Sequence, residues 1–255
     1  MSEPETLDPF KLPHPPIVEA VLDIDCDLPP GLDFAMVEEA MGDALKQAYP
    51  IRRKRLVHEA KMDLKQGEQP KLTARHGLAA VQFVAEDEKQ IVQARPAGFS
   101  FNRLGPYGSF DEYLPEIERC WAVFVEVVRP VQVRKLGLRY INRIPIPLEH
   151  GTVNLADYLR VSPNLPERSG LQFADFFHQH RAGDPKTGNK ANIILASQPQ
   201  EDGCLPLLLD IEVFRDERLE PAPLENWREA IEQLRSLKNH IFEYSLTQKC
   251  LNLFQ

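Results

Sequence analysis

The densest group of metal-competent side chains lies in FADFFHQHR, where Asp175, His178 and His180 stand close together. On a strand, residues two apart share a face, so His178 and His180 would present two imidazoles to one cation. A third ligand would come from Asp210 or Glu212 in LDIEV, on another strand. That set would make the chain a metal-dependent enzyme. Against it, Phe176 shares the histidine face, and imidazoles also finish half-exposed strands without binding anything. An HxH pair alone is a weak signal, and no cofactor is expected. The sequence contains no HExxH, no GxSxG and no glycine-rich phosphate loop. Gly183 to Gly188 (GDPKTG) reads as a hairpin turn.

The basic run Arg52, Arg53, Lys54 and Arg55 is the second candidate. Lysine and arginine supply most sequence-independent affinity for a phosphate backbone, which would make the protein a nucleic-acid binder. The net charge of −8 opposes this, and the acidity is concentrated before Arg129. Four charges at a strand start read better as a solvated edge that discourages strand pairing. The aromatic residues Phe99, Phe101, Tyr107, Phe110 and Tyr113 read as core rather than as a base-stacking platform.

The third candidate lies in LGLRYINRI. Alternation puts Leu136, Leu138, Tyr140, Asn142 and Ile144 on one face and Arg139 and Arg143 on the other. The first face is the covered one, where Asn142 would pin the adjoining Pro145 turn to a helix above. Arg139 and Arg143 then form a cationic pair for an acidic partner. Replacing both with alanine should leave the fold intact.

These candidates need elements to hold them. The 255 residues fit one large domain or two halves, and no run of about 18 apolar residues exists to span a membrane. The N-terminal MSEPETLDPF is acidic without an apolar stretch and does not read as a secretory signal. The four cysteines show no CxxC spacing, which fits a reducing cytoplasm. Twenty-two prolines punctuate the apolar runs, and each marks an expected element end. Between them, Ile17–Cys26 alternates as a strand, with Val18, Ala20, Leu22 and Ile24 opposite Glu19, Asp23 and Asp25. Asp33 suits the N-cap of a helix reaching Pro50. Strands are expected at 53–64, 71–85, 89–95 and 99–104. Ser109 and Glu112 form a capping box ahead of a helix to Val128, where Pro115 predicts a kink or a later start. After Arg129, a strand at 131–144, a short helix at 155–159, strands at 171–181, 191–197 and 207–214, and a long helix from Pro223 repeat the order.

The reading is therefore an α+β protein. An acidic flexible leader at 1–14 precedes tandem β-α-β(3-4)-α halves at 15–129 and 130–255, packed as one unit. The halves would form curved antiparallel sheet with packed helices, in a TATA-binding-protein-like or helix-grip-like arrangement.

Four segments carry a resemblance: PPIVEAVL from Pro15, FSFNRLGPY from Phe99, LGLRYINRI from Leu136 and KNHIFEYSLT from Lys238. In this order and spacing the chain resembles a sporadically distributed prokaryotic family of uncharacterised function and about this length, from Pro15 to Phe254. The resemblance brings no catalytic residue, cofactor or substrate. Patchy distribution implies an accessory role, such as defence or a toxin–antitoxin pair. The residues and the resemblance favour a non-enzymatic interaction or regulatory protein gripping a protein or peptide partner.

Overall fold

Local chemistry sets the first elements. The computed structural model describes residues 12–63, 71–161 and 174–255. Strand β1 (Ile17–Asp27) alternates, with Ala20, Leu22, Ile24 and Cys26 buried. The Asp33 carboxylate accepts the Ala35 amide and opens α1 (Phe34–Leu45). The Ser109 hydroxyl accepts the Glu112 amide and opens α2 (Phe110–Val128). That helix begins at Phe110 despite Pro115, so of the kink or later start expected there the later start is not seen. One lost amide bond near a capped end is a small cost beside the apolar stripe the helix buries.

The remaining strands are β2 (Ile51–Asp63), β3 (Lys71–Val84), β4 (Gln90–Arg95), β5 (Gly98–Leu104), β6 (Gln132–Pro147), β7 (Phe177–Gly183), β8 (Lys190–Ser197) and β9 (Cys204–Leu219). They form one nine-stranded sheet in the order β2-β3-β4-β5-β1-β6-β9-β8-β7, with every neighbouring pair antiparallel. Strands β1 and β6 meet at the centre, each flanked on its outer side by the last strand of its own group. A 3-10 turn (Leu224–Trp227), α3 (Arg228–Ser245) and α4 (Gln248–Leu251) complete the chain's larger elements.

Several expected boundaries move. Proline does not end β6 or β9: Pro145 and Pro206 sit opposite each other within the ladder. A rung that exchanges no amide bonds tolerates both rings, so the strands run past them. Asn142 accordingly does not adjoin a Pro145 turn. Among described residues the strand expected at 171–181 begins at Phe177, while positions 171–173 lie outside them. The short helix expected at 155–159 is a 3-10 turn, Leu155–Asp157. Most of the acidic leader also lies outside the described residues.

All three long helices pack on the same side of the sheet, in one buried cluster. Its hub is Trp121, whose ring lies 5.5 Å from Phe99 and Phe124 and 5.7 Å from Trp227. The indole Nε1 donates to the Ala222 carbonyl at 2.8 Å, tying α2 to the approach to α3. At the start of β5, Gly98 takes φ +139, and a Cβ there would collide with the Ile24 carbonyl oxygen. Only glycine lets β5 close on β1 at that point. The passage from α2 to β6 is short: Arg129 takes a left-handed conformation with its amide on Val125, and the Val131 amide bonds Asp27. Among the described residues no helix is long and apolar enough to cross a membrane.

Candidate functional site

Among the described residues no helix covers the other face of the sheet, which mixes polar side chains with apolar ones such as Val21, Ile141 and Phe214. Register places Gln82 (β3), Gln93 (β4), Ser100 and Asn102 (β5), and Glu19, Asp23 and Asp25 (β1) on it. Beyond the seam it carries Lys135, Arg139, Ile141 and Arg143 of β6, with Asp210 and Glu212 of β9.

These side chains are bonded across the strands. Gln82 Nε2 donates to Gln93 Oε1 at 3.1 Å, and Gln93 Nε2 to Asn102 Oδ1 at 2.8 Å. Asn102 Nδ2 donates to Glu19 Oε1 at 2.6 Å, completing a chain from β3 to β1. Beside it, Arg95 Nη2 reaches Asp23 at 2.5 Å and Asp25 at 3.1 Å. Burial raises the pKa of Asp23, against the lowering field of Arg95. Lys135 Nζ meets Glu212 at 2.6 Å and lies 4.5 Å from the centre of the Phe214 ring.

Arg139 is part of this lattice rather than a free cation. Its Nε and Nη2 grip Asp210 Oδ1 and Oδ2 at 2.9 and 2.5 Å, a bidentate fork. The Asp210 side chain is 6 % exposed and that of Arg139 47 %. Replacing both arginines with alanine would therefore strand a buried carboxylate at Asp210, which argues against the expectation that the pair can be removed without cost. Arg143 instead reaches outward, to Gln198 Oε1 at 3.2 Å and to exposed Glu201. Ile141 lies between the two arginines on the same face.

The other candidates are not brought together. His178 and His180 stand 4.7 Å apart by ring centres, opposite Leu195 and Ile193. Register puts them on the helix side of the sheet, whereas Asp210 and Glu212 lie on the open face. Asp210 is committed to Arg139, and Asp175 is exposed ahead of β7. Among the described residues no group of three or more histidine, cysteine, aspartate or glutamate side chains is placed to hold a metal. The basic run lies on edge strand β2 and splits between the two faces. Arg52 pairs with Asp43 and Lys54 with Glu38, both of α1, while Arg53 pairs with Glu88. Three of its four charges are thus neutralised within the chain.

Asn142 does lie on the covered face, 2 % exposed with Leu136, Leu138, Tyr140 and Ile144. Its Nδ2 donates to the carbonyls of Leu209 at 2.9 Å and Tyr140 at 3.3 Å, so it braces β6 against β9 rather than a helix. Asn142→Leu is expected to cost about 1–3 kcal/mol by leaving the Leu209 carbonyl short of a donor. Chemical denaturation checks this, and an unchanged midpoint would remove the bracing role.

No protein-family model matches the chain, and no curated protein matches its sequence.

Proposed function

We propose that this is a non-enzymatic interaction or regulatory protein that grips a protein or peptide partner on the open face of its sheet. One observation carries the reading: that face bears side chains already bonded to one another in two groups, one from β3 to β1 and one between β6 and β9. Side chains fixed before binding lose little entropy on docking, which favours recognition of a defined polar surface. Their charges are paired internally, so the face offers few free cations to a phosphate backbone, and a polypeptide is the better-matched ligand.

The architecture we propose is a tandem duplication of the TATA-binding-protein-like kind. The central β1–β6 seam supports it, with strand groups running outward in matching order on either side. The free state of all four cysteines supports a cytoplasmic setting. A photo-cross-linking residue at Ile141, on the open face, is expected to capture a polypeptide that the same residue at exposed Glu229, on α3, does not.

A further inference from the structure

The four segments of the resemblance meet at one place, on the helix side of the sheet. Lys238 of α3 faces an open cleft of about 70 Å³. Pro15, Pro16 and Ile17 form one wall of it, and Asn142, Asn239 and Phe242 line the rest. The proline wall is held in place by the Arg143 amide, which bonds the Pro16 carbonyl at 2.9 Å. Lys238 Nζ lies 4.0 Å from the centre of the Tyr140 ring, whose hydroxyl bonds that of Tyr107 at 3.1 Å.

Among the described residues the lysine has no counter-ion. Among the described residues no carboxylate lies within 4 Å of its Nζ. Asp111 and Glu232, whose fields reach the neighbouring Tyr140, are both taken by Arg235, at 2.9 and 2.6 Å. Tyr140 and Tyr107 contribute no negative charge at neutral pH, because burial raises both phenols. Burial, with the like charge of Arg235, lowers the Lys238 ammonium to about 8. A cation over an aromatic face recovers only part of the hydration it gave up.

We propose that this cleft binds a small organic monocarboxylate, its acid group on Lys238 and its apolar body against Pro15, Pro16, Ile17 and Phe242. One lysine and no arginine in the cleft match a single negative charge better than a phosphate dianion. The Asn142 amide hydrogens are spent on strand carbonyls, which leaves Asn239 as the second donor. The inference goes beyond the open-face reading, since the two sites share no side chain, and either can fail alone.

The site binds the protonated lysine, so affinity should be greatest below pH 8 and fall about five-fold from pH 8 to pH 9. The test uses the full chain with its lysines reductively dimethylated in carbon-13, a change that keeps their charge. In the free protein one resonance, absent from Lys238→Met, is expected to titrate near 8. Tens of millimolar 4-methylpentanoate should move that titration upward by a unit or more, while 4-methylpentanamide leaves it in place. Calorimetry should show 4-methylpentanoate binding lost by at least ten-fold in Lys238→Met, with that variant's folded spectrum retained. A Lys238 resonance that ignores the carboxylate, or that responds equally to the amide, overturns the proposal. Should Lys238→Met not fold, the wild-type titration with acid and amide still decides it.

Discussion

Arg139→Ala is expected to lower stability by about 3 kcal/mol, against at most about 1 kcal/mol for Arg143→Ala. The two arginines stand on one face of one strand, yet their partners differ. Removing Arg139 leaves the Asp210 carboxylate buried without its bidentate donor, the costly way to break an ion pair. The effect falls at the low end for such pairs because water reaches the half-exposed guanidinium. Arg143 meets Glu201 where both are solvated, so its loss is cheap. Removing both members with Arg139→Met and Asp210→Leu should recover most of the stability, since an apolar pair of similar volume needs no compensation. Urea unfolding of the wild type and these three variants measures this. Equal, small losses at Arg139 and Arg143 would contradict the burial of Asp210.

Trp121→Ala is expected to cost about 3–5 kcal/mol, the range for emptying a large aromatic site. The indole fills space between Phe99, Phe124 and Trp227, and its loss also deprives the Ala222 carbonyl of a donor. Because Phe99 precedes Arg129 and Trp227 follows it, the cavity would weaken contacts on both sides of the chain's midpoint at once. The variant should therefore unfold in a single transition at lower denaturant, with coincident curves by fluorescence of Trp227 and by circular dichroism. A split into two transitions would mean that the residues before and after Arg129 fold as separate units.

Local signals were the legible ones. The alternation of β1 and the Asp33 and Ser109 caps depend on neighbours in sequence, and each lies where the pattern puts it. Pro145 and Pro206 misled because the cost of a missing amide depends on which rung of the ladder it occupies, a property of pairing. The same dependence on register hid the open-face lattice. Glu19, Asp23 and Asp25 were visible as a polar stripe, but nothing local says that Asn102 and Arg95 lie opposite them. Asp210 was readable as a metal ligand for the same reason: parity within β9 does not reveal which face of β7 the histidines take. Lys238 carries a local signal of its own. It stands one turn from Leu234 and one turn from Phe242, both buried, and so lies on the packed stripe of α3 rather than its solvent face.

The open face as the partner's docking surface is the central claim, and cross-linking from two sides of the sheet tests it most directly. Full-length protein carrying a photo-activatable residue at Ile141 or at Glu229 would be irradiated in its native host and the adducts identified by mass spectrometry. The account predicts one recurrent polypeptide adduct from Ile141, diminished when Arg143→Glu is added, and none of that adduct from Glu229. Adducts formed only from Glu229, or nucleic acid as the recurrent adduct at Ile141, would contradict it.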